Sequence, residues 1–147
     1  MKHYLIAFLF ITSITNAQSI DHNTKKGYAA EGYDVVSYFS NKAQEGKKQY
    51  STEHDGVKYK FISQENLVAF ISDPENYTPQ YGGYCAYAIA VKAKKVGINP
   101  NTFEIRDGKL YLFYNSWGTN TLELWNKENV KGLLEKADQN WELIKLD

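Results

Sequence analysis

Alternation of apolar and polar residues predicts two β-hairpins in this chain. A strand is predicted over 57–62, because Val57, Tyr59 and Phe61 alternate with two lysines, which is typical of a strand with one buried face. A strand over 48–52 precedes it, and Asp55-Gly56 between them is a turn signal. A second such pair, Asp107-Gly108, predicts another hairpin. The strands of that second hairpin are 103–106 and 110–114.

Apolar residues at helical spacing predict several short helices and one longer C-terminal helix. Ser63 is suited to cap a helix that ends at Asp73-Pro74, and Asp34 is suited to cap a short helix over 35–39. Further helices are predicted over 84–92 and 129–144. The fold class is therefore α+β, with two β-hairpins forming one small antiparallel sheet that packs with the short helices and the C-terminal helix.

The first 17 residues have the three parts of a secretory signal peptide. A lysine near the start is followed by a short apolar run and then by small and polar residues ending at Ala17. The run is too short for a stable membrane anchor, which needs about 20 residues. We therefore expect an exported protein, periplasmic or extracellular. Residues 18–32 are polar and predict a loose leader that packs only toward its C-terminal end, and 33–147 predict a single domain.

Length and charge are those of an ordinary single domain with its own core. The chain has 147 residues, 43% of them hydrophobic, and its 17 basic and 17 acidic side chains give a formal net charge of zero. A neutral chain lacks the long-range attraction to polyphosphate, so nucleic acid is not an expected partner. The single cysteine excludes a disulfide within the chain.

That cysteine, Cys85, is the first candidate for chemistry. It follows Gly82-Gly83, and we expect it in the first turn of the next helix. There the helix dipole would favour the thiolate and lower the thiol pKa, so the sulfur could bind a soft metal ion or react with a disulfide or an oxidant. The alternative is a small buried side chain, which is common for free cysteine.

Asp34 and several tyrosines are the other candidates. Asp34 is the best carboxylate candidate for a metal ligand, although its role as a helix cap is the simpler interpretation. Tyr38, Tyr81 and Tyr84 lie in two aromatic-rich segments that could line a cleft for a small ligand, or could pack in the core. The three tryptophans are interpreted as core residues.

Few histidines are placed where a metal site would be expected. His22 lies in the predicted leader and His54 at a hairpin tip, where solvation is the usual state. The chain has no Cys-x-x-Cys, nucleophile elbow or phosphate loop, so a structural zinc centre and an enzyme are both disfavoured.

Several segments resemble exported bacterial YHS-domain proteins, and the resemblance extends over nearly all of the predicted mature chain. They are Gly32-Tyr-Asp-Val-Val-Ser-Tyr-Phe39, Tyr59-Lys-Phe-Ile-Ser63, Asn66, Phe70, Pro74-Glu-Asn-Tyr77, Tyr81-Gly-Gly-Tyr-Cys-Ala86, Asp107-Gly-Lys-Leu-Tyr-Leu112 and Ala137-Asp-Gln-Asn-Trp141. The resemblance implies metal binding, with copper among the ions, through cysteines. At the three positions where cysteine-bearing members have cysteine, this chain has Ser37, Ile62 and Asn66.

Taken together, these features predict a non-catalytic extracytoplasmic binding protein. The preferred ligand is a copper ion or another soft transition-metal ion held by Cys85 with Asp34. One alternative is a thiol-redox or sensing protein that acts through Cys85. The others are a module that binds a small molecule through its tyrosines and one that binds another protein.

Overall fold

The computed structural model describes residues 18–147, and the predicted signal peptide lies outside them. The strands are β1 (Thr24–Lys25), β2 (Tyr28–Ala29), β3 (Lys47–His54), β4 (Val57–Phe61), β5 (Asn99–Arg106), β6 (Lys109–Phe113), β7 (Asn115–Ser116) and β8 (Thr119–Asn120). The α-helices are α1 (Gln64–Ser72), α2 (Pro74–Tyr77), α3 (Ala86–Lys92), α4 (Thr121–Lys127) and α5 (Val130–Ile144), and short 3-10 helices cover Ala30–Gly32, Ser37–Ser40 and Gln80–Gly83. Within this part of the chain, no helix has the length and apolar character required to cross a membrane.

The predicted α+β class is confirmed, and both predicted hairpins are present. Strands β3 and β4 pair antiparallel, as do β5 and β6. The two hairpins lie in separate sheets, however, whereas the sequence predicts one joined sheet. The first sheet has four strands in the order β1-β2-β4-β3. Because β3 and β2 occupy the two edges of β4, that strand has no free edge for the second hairpin.

The N-terminal segment is more tightly attached than its polar composition predicts. The amide of Asp21 donates to the Lys145 carbonyl oxygen over 2.8 Å, and the amide of Asn23 donates to the Gly82 carbonyl oxygen over 2.8 Å. Residues 24–29 then form β1 and β2. Backbone hydrogen bonds hold this segment in place, so a search for apolar periodicity does not detect it.

The first hairpin and α1 share one core cluster. Val57, Tyr59 and Phe61 are buried as the alternation predicts. The Phe70 ring of α1 lies 4.5 Å from the Tyr59 ring and 5.2 Å from the Phe61 ring, measured between centroids. Helix α1 begins where predicted, because the Ser63 hydroxyl accepts a hydrogen bond from the Asn66 amide. The helix therefore lies on the hairpin, through Phe70.

A second core cluster lies between α3, β6 and the two C-terminal helices. Trp125 is fully buried there, with the Phe113 ring 5.5 Å away. The interpretation of Trp117 as a core residue is wrong, because this side chain is 95% exposed. Trp117 and Gly118 form the tip of the β7–β8 hairpin with φ of 51° and 74°, and this two-residue turn directs the indole into solvent.

Candidate functional site

The Asp34 carboxylate is the centre of a buried hydrogen-bond network. It is fully buried, and Oδ1 accepts hydrogen bonds from the amides of Val36 (2.9 Å) and Ser37 (3.2 Å). Oδ2 accepts from the Ile62 amide (2.8 Å) and from Asn66 Nδ2 (2.7 Å). Asp34 thus caps a turn through Val36 and Ser37 and ties it to β4 and α1. The helix predicted over 35–39 is instead a short 3-10 helix over Ser37–Ser40, for which Val36, with no side-chain cap, is the N-cap. Its oxygens already have four donors, which makes the carboxylate a structural anchor and a poor metal ligand.

The three positions at which the resembled family has cysteines meet at this network. Asn66 Nδ2 lies 3.4 Å from Ser37 Oγ as well as contacting Asp34, and the Ile62 backbone completes the group. In this chain the Asn66 amide donates to Asp34 and to the Ser37 hydroxyl, and the Ile62 N–H donates to Asp34.

Cys85 lies in the core and has no exposed surface. It precedes the first residue of α3, one position before the predicted place, and its side chain does not cap the helix. Its Sγ is 3.3 Å from the Thr121 hydroxyl, which itself donates to the Tyr114 carbonyl oxygen over 2.7 Å. Since the one hydrogen of that hydroxyl is directed at Tyr114, its oxygen can accept a hydrogen bond from the Cys85 thiol.

This position removes the support for a reactive or metal-binding Cys85. A thiol with no exposed surface cannot exchange with an external disulfide while the protein is folded. Within residues 18–147, the sulfur is also not part of any close group of three or more histidine, cysteine or acidic side chains. The structure therefore fits the packing interpretation of Cys85.

The three candidate tyrosines do not line one common cleft. Tyr38 is fully buried and donates to the Pro100 carbonyl oxygen over 2.7 Å, and burial raises its pKa. Tyr84 donates to Asp21 Oδ2 over 2.7 Å, and burial followed by this hydrogen bond raises its pKa to about 12. Tyr81 donates to Asp138 Oδ1 over 2.9 Å, and burial together with this bond raises its pKa. Among the three, Tyr81 alone contributes to the cavity described below.

A different group of side chains has the composition of a metal site. In the part of the chain that the structure describes, His54, Asp55 and Glu75 form a group whose ligand atoms all lie within 4.8 Å of one another. His54 Nε2 is 3.0 Å from Glu75 Oε1 and 3.4 Å from Asp55 Oδ2. The histidine side chain is 26% exposed and the carboxylates are 76% and 70% exposed, so the group is open to solvent on one side.

These distances match those between neighbouring ligands of one ion. For donors about 2.1 Å from an ion, two ligands at a right angle are about 3.0 Å apart, and two at the tetrahedral angle are about 3.4 Å apart. The 3.0 Å contact also suits a hydrogen bond between His54 Nε2 and Glu75, which satisfies the group without an ion. An ion would take the place of the Nε2 proton.

Local structure fixes where the three donors lie. His54 ends β3, and Asp55 and Gly56 form the hairpin turn with φ of 51° and 77°, the left-handed region that a two-residue turn needs. The His54 ring stands edge-on to the Phe70 ring of α1, with centroids 6.0 Å apart. Glu75 lies in the first turn of α2, which Pro74 begins. Hairpin and helices therefore hold the donors from two directions.

The donor group lines a cavity of about 550 Å³. Its walls also include His22 from the N-terminal segment, Tyr81 and Trp141. The half-buried His22 ring is held in place by the backbone hydrogen bonds of its neighbours Asp21 and Asn23. Burial lowers the pKa of His22, and the nearby carboxylates only partly offset that effect. The second histidine thus faces the same space as the first.

Sequence reasoning missed this group because its members are far apart in the chain and each has an ordinary local role. From the sequence, His54 and Asp55 are interpreted as a solvated hairpin tip, and His22 as part of a leader. Glu75 is interpreted as an ordinary acidic residue at the start of a helix. A prediction that α1 and α2 return to the hairpin end would have been needed to bring them together.

Comparisons with protein-family models, with curated proteins and with solved structures each found no match for this chain.

Proposed function

We propose that this protein binds one divalent transition-metal ion through His54, Asp55 and Glu75, and that it acts as a non-catalytic binding protein outside the cytoplasm. The proposal rests on two distances from His54 Nε2, which are 3.0 Å to Glu75 Oε1 and 3.4 Å to Asp55 Oδ2. The donor atoms are already as far apart as the ligands of one metal ion. They would therefore need little rearrangement when an ion binds.

The chemistry of the donors favours copper in its divalent form. An imidazole nitrogen with two carboxylate oxygens suits Cu²⁺, Zn²⁺ and Ni²⁺, and Cu²⁺ binds most tightly to a given site of this kind. The sequence points to a soft ion because sulfur is the softest donor in the predicted mature chain. The buried position of Cys85 moves the proposal to nitrogen and oxygen donors, and so from a soft ion to a borderline one.

Export and kinship with YHS-domain proteins stay predictions from the sequence, and both agree with the proposal. An exported protein meets metal ions outside the cell's reducing interior, where divalent copper persists. The family resemblance implies metal binding by thiolates, whereas the site proposed here uses imidazole and carboxylate groups at other positions of this chain.

A titration of Cu²⁺ into the purified protein tests the proposal. We expect one ion per chain and, in His54→Ala, Asp55→Asn and Glu75→Gln, an affinity at least about tenfold lower, since losing even an outer partner of a metal ligand costs about 10- to 100-fold. The matched control is Asp107→Asn, because Asp107 occupies the same turn position in the other hairpin, with φ of 50°.

The control should bind Cu²⁺ like the unaltered protein. Equal affinity in Asp55→Asn and Asp107→Asn, or no uptake by the unaltered protein, would overturn the proposed site. Cys85→Ser should also keep full affinity, provided that its thermal unfolding shows a folded protein.

A further inference from the structure

The cavity around the donor group is much larger than a hydrated ion requires. Its volume is about 550 Å³, whereas six waters around an ion occupy about 180 Å³ at about 30 Å³ each. About two thirds of the space therefore lies beyond the first hydration layer of an ion at His54. A volume of this size is within the range of pockets that hold small organic molecules.

The walls of that additional space carry aliphatic and aromatic side chains among polar ones such as Ser19, Thr78 and Gln80. Ile20, Pro79, Tyr81 and Trp141 contribute to the lining, on elements other than those that carry the three donors. At Gly82 a Cβ atom would lie only 2.9 Å from the outer edge of the Trp141 ring, so the glycine backbone passes directly beside the indole. An apolar wall adds nothing to the binding of a bare ion, but it stabilises a ligand with an apolar part.

Three protein donors also leave coordination positions free. A four-coordinate ion would have one open position and a six-coordinate ion three. A second molecule can fill these positions with its own nitrogen or oxygen atoms. If that molecule has a ring, the ring can lie against Trp141 and its neighbours.

We propose that the cavity holds the metal ion as a complex with a small organic chelator that carries a flat apolar ring. This inference rests on the proposed metal-binding function and specifies the ligand class of the same site. The protein supplies His54, Asp55 and Glu75 to the ion, and the apolar wall with Trp141 to the ring.

Two chelators of Cu²⁺ with the same kinds of donor atom provide the test. Picolinate and glycinate each offer one nitrogen and one carboxylate oxygen, and only picolinate carries a ring. Each is titrated into the Cu²⁺-loaded protein, and its affinity is divided by its affinity for Cu²⁺ in water. We expect this ratio to be at least about tenfold higher for picolinate, because ring burial favours it.

Two variants of the cavity wall test whether the preference for picolinate over glycinate arises in the cavity. Gln80→Trp fills part of the space with an indole at a residue that is not one of the three donors, and Trp141→Leu removes the aromatic wall; both residues line the cavity. Each variant should lose the preference for picolinate and keep its affinity for Cu²⁺ alone. Gln64→Trp, at an exposed position of α1, is the control and should keep both. Thermal unfolding identifies any variant that fails to fold. If one of the two cavity variants does not fold, the result of the other one tests the proposal.

The outcomes separate the two proposals. If Cu²⁺ binds at His54 but both chelators give the same ratio, or the preference survives in a folded cavity variant, the ligand class is wrong and the metal site stands. If Cu²⁺ does not bind at all, the proposed function fails and this inference fails with it.

Discussion

Replacing Asp34 by asparagine should destabilise the protein without weakening the binding of a metal ion. The asparagine keeps one acceptor oxygen, which can still receive the amides of Val36 and Ser37. Its NH₂ group then replaces Oδ2, the atom that accepts from the Ile62 amide and from Asn66 Nδ2. The Ile62 amide and Asn66 Nδ2 would then each face another hydrogen-bond donor, the new NH₂ group, in place of an acceptor.

The expected loss can be worked from those two bonds. Hydrogen bonds to a charged group contribute about 1.5–3 kcal/mol each, so removing two gives about 3–6 kcal/mol. A neutral amide costs less to bury than a carboxylate, and the Asn66 side chain can rotate to recover one contact. We therefore expect a decrease of about 2–4 kcal/mol in the free energy of unfolding, a large part of the about 5–15 kcal/mol typical of a domain.

Urea unfolding, followed by the fluorescence of buried Trp125 and by circular dichroism, measures this change. The control is Asp73→Asn, at an exposed residue whose side chain caps no helix, and it should shift stability by less than about 0.5 kcal/mol. A decrease below about 1 kcal/mol for Asp34→Asn would refute the reasoning about the network. Loss of Cu²⁺ binding by a folded Asp34→Asn variant would instead restore Asp34 as a metal ligand.

Three further predictions concern other residues. His22→Ala should lower the affinity for Cu²⁺ by less than His54→Ala does, because His22 lines the cavity outside the close donor group; an equal or larger loss in the same titration would contradict this. Cys85 should be alkylated only at the rate of global unfolding, because it has no exposed surface; fast labelling of the folded protein would show that the core is open there. Burial and the Asp21 hydrogen bond raise the pKa of Tyr84 to about 12 from 10.0, so its contribution to stability is complete below pH 10 and is lost as the pH rises toward 12. Tyr84→Phe should therefore show a smaller alkaline decrease in the free energy of unfolding, and an unchanged decrease would refute this assignment.

The sequence predicts local structure well where one pattern dominates. Alternation predicts β4, and Asp55-Gly56 and Asp107-Gly108 mark both long hairpins, because these signals depend on neighbouring residues alone. Ser63 and Pro74 likewise bound α1 as predicted. The β7–β8 turn escapes prediction because tryptophan is a rare residue at positive φ, and only its glycine partner indicates the turn.

The candidate site is less predictable because it depends on long-range contacts. His54 and Glu75 are 21 positions apart. The apolar faces of α1 and the hairpin predict that the two pack together, but they do not predict that α2 then places Glu75 beside the hairpin turn. Cys85 was the more conspicuous candidate because it is the only cysteine and follows two glycines. Its burial follows from the position of α3 between the two core clusters, which is a property of the whole fold.

Anomalous diffraction from crystals of the protein grown with Cu²⁺, recorded at the copper absorption edge, would show directly where the ion binds. We expect one strong peak about 2.0–2.2 Å from His54 Nε2, with oxygens of Asp55 and Glu75 as further ligands. A peak beside Cys85 or Asp34, or no peak near His54 at saturating Cu²⁺, would contradict the proposed site.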